Sequence, residues 1–215
     1  MIIAFLGPPG SGKGTQGKRL SEHLKLPHIA TGNILRDEVM NASSLGLQSK
    51  DIMDKGNLVP DHVASGIISD RINKPDCTEG FILDGFPRTI EQAKSFDTLI
   101  GKTNQKIDAV FYIDVSDAIL IERLSERRIC RRCGWNYHLI YAPSKNGDKC
   151  EKCGSEIYQR SDDKIETIKQ RLKVYEEQTA SLIYFYKQQQ KLFNIRGEST
   201  IDRVFKEILE KIPGK

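Results

Sequence analysis

The sequence predicts an α/β protein built on a mostly parallel sheet with helices on its faces. Two observations support this prediction. Short apolar runs alternate along the chain with segments of helical periodicity, an order that is typical of parallel sheets. The first of these runs, Ile2–Leu6, is unbroken and ends at a glycine-rich stretch, as expected for a strand buried on both faces.

The elements of the first half follow from local spacing and capping residues. Leu20 and Leu24 repeat at helical spacing and predict a helix over Lys13–Leu24. Thr31 or Asn33 is expected to cap the helix that comes next. The other predicted elements of this half are helices over 45–55, 61–73 and 89–100 and a buried strand over Phe81–Asp84.

The second half combines the clearest strand with a change of composition. Residues 107–115 predict a strand, and 117–128 predict a helix. From 129 to 158 the chain is rich in turn residues and cysteine and has little periodicity, which indicates an inserted mini-domain. A long helical pattern over 161–190 changes character near Thr179, where we expect a break. A short strand at 192–195 and a helix over 201–212 complete the chain.

The composition suits one globular core with small insertions. Of the 215 residues, 29% are charged and 38% are apolar, and the net charge is +4. That charge is too mild to require a nucleic-acid partner. No apolar run approaches the roughly 20 residues of a membrane span, and the opening MIIAFLGPPG lacks the basic start and long apolar run of a secretory leader. We therefore expect a cytoplasmic protein with no nucleic-acid or membrane partner.

The stretch GPPGSGKGT (7–15) indicates a phosphate-binding loop. Its first glycine, Gly12 and Lys13 fit the spacing G-x-x-x-x-G-K between a predicted strand and a predicted helix, where backbone N–H groups and the helix N-terminus cradle phosphates. The alternative is a Gly/Pro-rich turn with a chance lysine. Gly14 stands where such loops usually carry a Mg²⁺-ligating hydroxyl, and Thr15 comes one residue later, which makes a signalling GTPase less favoured.

A second motif, LDGFPRT (83–89), closes the second predicted strand. Asp84 emerges at the strand end, where open α/β sheets bind ligands, and could hold Mg²⁺ through water molecules. The planar guanidinium of Arg88 suits a phosphate group. Taken alone, an ordinary strand–turn–helix connection stiffened by Pro87 explains the motif equally well.

Six segments in order closely resemble the adenylate kinases: GPPGSGKGT, TGNILR (31–36), LDGFPRT followed by Gln92, ERLSERR (122–128), QRSDD (159–163) and ETIKQRL (166–172). The resemblance covers nearly the whole chain and implies reversible phosphoryl transfer, ATP + AMP = 2 ADP, serving adenine nucleotide homeostasis. It also implies a P-loop nucleoside monophosphate kinase fold, a parallel sheet flanked by helices. The implied segments are a core over 1–29, 60–128 and 164–215, an AMP-binding helical insertion over 30–59 and a lid over 129–163.

The resemblance assigns site residues to overlapping groups. The catalytic group is Lys13, Asp84, Arg88, Arg123, Arg160 and Arg171. The ATP-binding group is Gly10, Ser11, Gly12, Lys13, Gly14, Thr15, Arg127, Asn136, Tyr137 and Ser199. The AMP-binding group is Thr31, Arg36, Asn57, Leu58, Val59, Gly85, Phe86, Pro87, Arg88, Gln92, Arg160 and Arg171. Asn33 departs from the family's usual Asp, which can pair with a lid arginine, so this departure implies looser closure.

The implied chemistry fits these residue types. Phosphoryl transfer between two nucleotides needs little covalent chemistry, because the attacking oxygen already belongs to a phosphate. Lys13, Mg²⁺ carried with ATP and arginines from separate segments would neutralise the charge, and lid closure would exclude water. The alternative for each arginine is a solvated surface cation. For Arg131 and Arg132, a solvated surface position and a role in the site are equally favoured.

Four of the five cysteines form two pairs, CRRC and CEKC, separated by sixteen residues. The spacing C-x2-C-x16-C-x2-C in a reducing compartment indicates a structural zinc site. Gly134 and Gly154 follow the pairs as zinc-knuckle turns require, whereas His138 has poor spacing for a ligand. Two disulfides or four free thiols are the alternatives, and iron could occupy the site in recombinant protein. Cys77 is expected to be an ordinary reduced thiol. The expected zinc ligands are Cys130, Cys133, Cys150 and Cys153.

Two other hypotheses about function remain open at this point. A nucleotide such as UMP, CMP or GTP could replace one substrate, although Thr31 and GNLV (56–59) favour AMP within the family pattern. A zinc-ribbon nucleic-acid module fused to a P-loop switch could use the basic stretch 127–132. That second hypothesis leaves LDGFPRT unexplained, and few aromatic residues accompany the cysteines. We expect a monomer whose partners are the small molecules ATP, AMP and ADP.

Overall fold

The computed structural model describes residues 1–213, so the last two residues of the segment predicted as 164–215 lie outside the described part. The strands are, in chain order, β1 (Ile2–Leu6), β2 (His28–Ala30), β3 (Phe81–Asp84), β4 (Ala109–Asp114), β5 (Arg127–Cys130), β6 (Asn136–His138), β7 (Ile157–Tyr158) and β8 (Leu192–Arg196). Five of them form a parallel sheet in the order β2-β3-β1-β4-β8, which confirms the predicted α/β class.

Nine α-helices flank or extend the sheets within the described residues. They are α1 (Lys13–Leu24), α2 (Thr31–Met40), α3 (Ser44–Asp54), α4 (Asp61–Ile72), α5 (Ile90–Gly101), α6 (Asp117–Ser125), α7 (Ile165–Val174), α8 (Ser181–Gln188) and α9 (Ile201–Glu210). No helix in residues 1–213 combines the length and the apolar character that crossing a membrane requires.

The central strand β1 is buried on both faces. Ile2 and Ala4 pack into one apolar cluster, while Ile3 and Phe5 pack into the cluster on the opposite face. This division follows from the two-residue period of a strand and explains the unbroken apolar run in the sequence. The strands β1 and β3 pair in register, with Phe5 opposite Asp84, so the phosphate loop and the LDGFPRT turn leave the sheet at the same edge.

The predicted cap of α2 is wrong. The helix begins at Thr31 itself, and the residue at its N-cap position, Ala30, provides no side-chain hydrogen bond. Thr31 and Asn33 therefore lie inside the helix. The physical reason is that β2 runs up to Ala30 and the chain passes directly from strand to helix. That strand has only three residues, too few for periodicity to reveal.

The predicted helix 117–128 is too long at its end. Helix α6 stops at Ser125, and Arg127 begins β5, the central strand of a three-stranded antiparallel sheet with β6 and β7. Arg127 pairs with His138 and Arg128 with Tyr137 in that sheet. Pairing with strands farther along the chain thus overrides the weak helical preference of the sequence. The small sheet begins at Arg127 and ends at Tyr158, so most of it falls in 129–158, the stretch predicted as an inserted mini-domain.

The predicted break in the long helical pattern is confirmed. Residues Ser161–Asp163 form a single 3₁₀ turn before α7, and Tyr175–Thr179 adopt a π-helical turn between α7 and α8. Such turns are often found at functional sites. Both segments lie beside the cavity described below, which Tyr175 and Thr179 help to line.

Candidate active site

The phosphate loop turns between β1 and α1 at glycines with left-handed backbones. The φ angles are 139° at Gly7, 88° at Gly10 and 102° at Gly12, a region that residues with a β-carbon rarely adopt. A β-carbon on Gly7 would also lie 2.6 Å from the carbonyl oxygen of Ile113. These constraints explain why the loop needs glycine at its first and last turns.

The ammonium group of Lys13 lies inside this loop. Its Nζ donates hydrogen bonds to the carbonyl oxygens of Gly7 at 2.6 Å and Pro8 at 2.8 Å. Burial lowers the pKa of Lys13 to about 7; the negative charge of Asp84 opposes this shift, and the positive charges of Arg88 and Arg171 add to it. A bound phosphate would counteract that shift.

Asp84 faces the start of α1 from the end of β3. Its Oδ2 would lie 3.1 Å from a β-carbon at position 14, so glycine there leaves room beside the carboxylate. The Nε2 of His28 lies 3.5 Å from the same oxygen. Burial raises the pKa of Asp84, but His28 and the charges of Lys13 and Arg88 outweigh burial, and the net shift is downward. The carboxylate is therefore ionised and available as a metal-facing group.

The LDGFPRT turn is held by short hydrogen bonds. Gly85 has a φ of 76°, and its carbonyl accepts a hydrogen bond from Nε of Arg88 at 2.9 Å. The backbone N–H of Arg88 donates to Oε1 of Gln92 at 2.8 Å. Thr89 caps α5 by accepting from the N–H of Gln92. The turn therefore fixes where the Arg88 guanidinium points.

Asp61, a residue that the sequence analysis missed, anchors this turn. Its two carboxylate oxygens accept hydrogen bonds from Nε2 of Gln92 at 2.7 Å and from the hydroxyl of Thr89 at 2.8 Å. Asp61 begins α4, about thirty positions earlier in the chain, so no local pattern could have revealed the contact. Phe86, predicted in the AMP group, packs instead into the core, with its ring 5.5 Å from that of Phe96.

A cavity of about 1600 Å³ lies at this edge of the sheet. Lys13 lines it together with arginines from several elements: Arg36, Arg88, Arg123, Arg127, Arg160 and Arg171. The fold thus brings together all the arginines that the sequence analysis assigned to the site. Arg131 and Arg132 do not line this cavity.

Burial of so many cations in one place perturbs their ionisation. Burial lowers the pKa of Arg36 to about 10. It also lowers the pKa of Arg88, Arg160 and Arg171, and a neighbouring guanidinium adds to the effect in each case. Because these arginines are desolvated and repel one another, binding of anions beside them is strongly favoured. The cavity is therefore suited to polyphosphate ligands.

Two acidic residues of QRSDD hold part of this cluster. Arg127 donates to both carboxylate oxygens of the fully buried Asp163, at 2.8 and 2.5 Å. Arg171 contacts the carboxylates of Asp162 at 3.2 Å and Asp163 at 3.1 Å. Burial raises the pKa of Asp162, but the surrounding arginines, Arg171 first, shift it downward overall. Their place beside Arg160 in the motif was the signal that could have identified these two residues.

The predicted AMP residues other than Phe86 line the cavity. The buried Thr31 hydroxyl has no hydrogen-bond partner among the described residues. Arg36 donates to Oδ1 of Asn33 at 2.8 Å, so Asn33 contacts a pocket arginine instead of standing free. Asn57 accepts from Gln170 of α7 at 3.1 Å. The remaining wall residues of this group are Leu58, Val59, Gly85, Pro87, Arg88, Gln92, Arg160 and Arg171.

All the predicted ATP residues line the same cavity. They are Gly10, Ser11, Gly12, Lys13, Gly14, Thr15, Arg127, Asn136, Tyr137 and Ser199. Arg123 donates to the carbonyl of Gly197 at 2.9 Å, which joins α6 to the loop that carries Ser199. The Nζ of Lys18 on α1 lies 4.7 Å above the ring of Trp135, so the turn before β6 contacts the helix that follows the phosphate loop.

The four paired cysteines form one cluster, and Cys133 also lines the cavity. All four sulfur atoms lie within 4.8 Å of one another, and the shortest separations are 3.4 and 3.6 Å. A disulfide would bring two sulfurs to about 2.0 Å, whereas bonds of about 2.3 Å to a tetrahedral zinc separate them by about 3.8 Å. All five cysteines are free. The cluster could hold zinc.

The local backbone supports thiolate chemistry at this cluster. The N–H groups of Gly134 and Gly154 donate to the carbonyls of Cys130 and Cys150, and both glycines have left-handed backbones, as knuckle turns require. Burial raises the pKa of Cys150, but the Tyr137 hydroxyl and nearby N–H groups outweigh burial and lower it to about 6. A metal ligand must be a thiolate. Cys150 is close to that state, whereas burial raises the pKa of Cys133 to about 12, so binding of the ion would release a proton there.

The parallel sheet, the phosphate loop and the arginine-lined cavity define a P-loop phosphotransferase with the nucleoside monophosphate kinase fold. The model of the adenylate kinase family matches residues 5–191. An adenylate kinase of Archaeoglobus fulgidus is 50% identical over 215 residues, covering 99% of each chain. One of Methanocella arvoryzae is 52% identical over 204 residues, covering 95% of this chain and 94% of the relative. One of Thermosipho melanesiensis is 46% identical over 212 residues, covering 99% of each.

The chain therefore belongs to the adenylate kinase family, which makes it an ATP:AMP phosphotransferase.

Proposed function

We propose that the chain transfers the terminal phosphoryl group of ATP reversibly to AMP, giving two ADP, and so maintains the balance of adenine nucleotides. The observation that carries the proposal is the cavity in which Lys13 and the six assigned arginines, which come from separate elements, converge. Two anionic nucleotides can approach each other only where their charge is neutralised. An isolated surface patch would not provide such a convergence.

The donor side of the cavity is proposed to bind ATP. The loop 10–15 offers backbone N–H groups at the start of α1 for the phosphates, and Lys13 adds a cation. Arg123, Asn136 and Ser199 lie on the wall where the rest of the nucleotide would fit. The wall residue Tyr137 is assigned to the same side.

The acceptor side is proposed to bind AMP. The Thr31 hydroxyl is buried and unpartnered, so a ligand would supply its missing hydrogen bond. Arg36 and Arg88 are the cations for the AMP phosphate, and Gln92 holds the Arg88 turn while it lines the pocket. Residues 57–59 complete this wall.

The chemistry requires positioning more than proton transfer. The attacking oxygen belongs to the AMP phosphate and is already anionic, so no strong general base is needed. Arg160 and Arg171, beside the two acidic residues of QRSDD, lie with Arg88 where the transferred group would pass. Mg²⁺ bound with ATP supplies further charge neutralisation at the β and γ phosphates. Asp84, ionised and facing Gly14, would hold that ion through water.

Three segments are proposed to divide these tasks. Residues 1–29, 60–128 and 164–213 form the core, 30–59 cover AMP, and 129–163 form a lid over ATP. Closing the lid would exclude water, which otherwise competes with AMP for the phosphoryl group. The hydroxyl of Ser161 donates to Asp54 of α3 at 2.6 Å, a contact that joins the lid end to the AMP segment.

The four-cysteine cluster is proposed to hold a structural zinc. Four thiolates would fill the coordination shell and leave no position for substrate, so the ion would staple the lid without taking part in catalysis. The lid has only a small apolar cluster of its own, made by Cys130, Tyr137 and Cys150 with three partly buried neighbours. Such a small core needs a further crosslink.

The proposal also includes a cytoplasmic monomer that binds nucleotides and neither nucleic acid nor membrane. The mild net charge of +4 supports the absence of a nucleic-acid partner. The reduced cysteine cluster suits a reducing compartment. Light scattering coupled to gel filtration should give a mass close to the 24.4 kDa of one chain, and a mass twice as large would exclude the monomer.

The deciding experiment is a coupled assay of ADP formation from ATP with AMP, UMP or CMP as acceptor. We expect ADP formation with AMP far above the ATP-only control. Lys13→Ala and Arg88→Ala should lower the rate by orders of magnitude with an unchanged circular dichroism spectrum. Arg132→Ala, on the lid surface away from the cavity, is the matched control. Full turnover in both cavity variants would refute the proposed centre.

A further inference from the structure

Tyr137 connects the strand that borders the cavity to the cysteine cluster. Its hydroxyl donates a hydrogen bond to Sγ of Cys150 at 3.2 Å and accepts one from the backbone N–H of Glu151 at 2.8 Å. Only 6% of Tyr137 is exposed, and Cys150 is completely buried. The hydroxyl is thus fixed on both sides, and its proton points at a sulfur that lies 3.6 Å from that of Cys133.

The position of Tyr137 in the small sheet makes this bond more than a local contact. Tyr137 lies in the middle of β6 and pairs with Arg128 of β5. Strand β5 runs from Arg127, in the arginine-lined cavity, to Cys130, in the cluster. Asn136, which precedes Tyr137 in β6, lines the cavity. The hydrogen bond between Tyr137 and Cys150 therefore holds β6 against the cluster.

We propose that Tyr137 is a positioning residue of the metal site, whose hydroxyl holds the Cys150 thiolate on the ion and thereby secures the lid strand that faces ATP. The inference rests on the structural-metal part of the proposed function. A hydrogen bond to a metal-bound thiolate fixes the direction of its lone pairs and opposes its dissociation. Loss of such outer partners typically weakens metal binding about 10- to 100-fold.

The test is the rate at which the zinc-loaded full chain loses metal to an excess of the chromogenic chelator 4-(2-pyridylazo)resorcinol. Tyr137→Phe removes only the hydroxyl. Tyr158→Phe is the matched control, because Tyr158 lies in β7 of the same small sheet with its ring against Arg131. We expect Tyr137→Phe to release zinc at least about tenfold faster than the wild-type chain. The control should stay within twofold. Equal rates in all three proteins would overturn the inference.

A second measurement separates positioning of the ion from ordinary packing. The melting temperature of each protein is taken with zinc and after its removal. We expect Tyr137→Phe to narrow the gap between the two temperatures, because the lost bond acts on the metal-loaded form. An equal downward shift of both forms would show a merely structural hydroxyl and overturn the inference, as would a variant that does not fold in excess zinc.

The zinc content of the wild-type chain tests the proposed function separately from the inference about Tyr137. If the wild-type chain takes up no stoichiometric zinc, the metal part of the proposed function fails, and the inference fails with it. If the wild-type chain binds zinc tightly and Tyr137→Phe retains it equally well, only the inference fails. The coupled ADP assay on the wild-type chain tests the kinase activity apart from both results.

Discussion

Gly14 and Asp84 face each other at the start of α1, with only 3.1 Å between Oδ2 of Asp84 and the place where a β-carbon on residue 14 would stand. A side chain there would displace a carboxylate that His28, Lys13 and Arg88 keep ionised by lowering its pKa. The absence of a hydroxyl-bearing side chain at position 14, next to Lys13, thus has a steric explanation, because the Asp84 carboxylate occupies the space that such a side chain would need.

Gly14→Ala should therefore separate activity from stability. Because residue 14 lies in a helix, alanine should leave the melting temperature unchanged or raise it. The rate of ADP formation should fall about tenfold, since displacing Asp84 by a few tenths of an ångström disturbs the site. Gly66→Ala in α4, where a β-carbon meets nothing within 4 Å, is the control and should keep full activity. Full activity in Gly14→Ala would refute the steric argument.

Lys13 should take up a proton when ATP binds. Burial lowers the pKa of Lys13 to about 7 in the free protein, and the negative phosphates should raise it again. At pH 8 the free lysine is mostly neutral, so calorimetry in phosphate and Tris buffers should show uptake of close to one proton. The exposed variant Lys206→Met should retain this uptake, and Lys13→Met should lose it. No dependence on buffer in the wild-type chain would contradict the prediction.

The same lowered pKa predicts a pH dependence of stability. Unfolded lysine titrates near 10.5, so between about pH 7 and pH 10.5 the unfolded chain binds more protons at Lys13 than the folded chain does. The contribution of Lys13 to the free energy of unfolding therefore rises with pH through this window. Urea titrations of the wild-type chain and Lys13→Met should diverge there. Parallel curves would mean that the folded chain leaves Lys13 with its ordinary pKa.

The parts of the site that are formed by residues close together in the chain could be predicted from the sequence. The phosphate loop, the LDGFPRT turn and the paired cysteines each lie within a few consecutive residues, and glycine or cysteine spacing reveals them directly. Contacts between residues that are far apart in the chain could not be predicted from the sequence. Asp61 forms its hydrogen bond with Gln92 because α4 packs on α5. Arg127 lies in a strand, and not in the predicted helix, because β6 pairs with it. The arginines of the site could thus be predicted from the sequence, but the carboxylates that hold them in place could not.

Asp61→Asn should weaken AMP binding selectively. Asp61 does not line the cavity, but its carboxylate accepts hydrogen bonds from Gln92 and Thr89 that fix the turn of Arg88. An amide nitrogen in place of one oxygen would face a donor, so the KM for AMP should rise about tenfold. The KM for ATP should change less than twofold. Asp70→Asn, exposed on the same helix, serves as the control. Equal increases in both KM values would indicate general loosening instead.

Cys130→Ser should destabilise the lid more than it slows the reaction. Loss of one thiolate breaks the four-sulfur site, and metal binding is coupled to folding of such small units. Metal content by mass spectrometry should fall, and the melting temperature should match that of the wild-type chain after chelation. Cys77→Ser, at a buried thiol outside the cluster, should keep its metal. Unchanged metal content and melting in Cys130→Ser would exclude a structural ion at these residues.

Asp163→Asn should be among the most destabilising single changes at the site. The side chain of Asp163 is fully buried and contacts both Arg127 and Arg171, which are themselves largely buried. Removing its charge leaves Arg127 without its carboxylate partner and leaves Arg171 with Asp162 alone. Breaking a buried pair costs about 3–5 kcal/mol. Asp202→Asn is the matched control, because Asp202 pairs with Arg19 at 2.8 Å but is 87% exposed. That exposed pair should contribute less than about 1 kcal/mol. Equal free energies of unfolding in the two variants would show that Arg127 and Arg171 do not depend on Asp163.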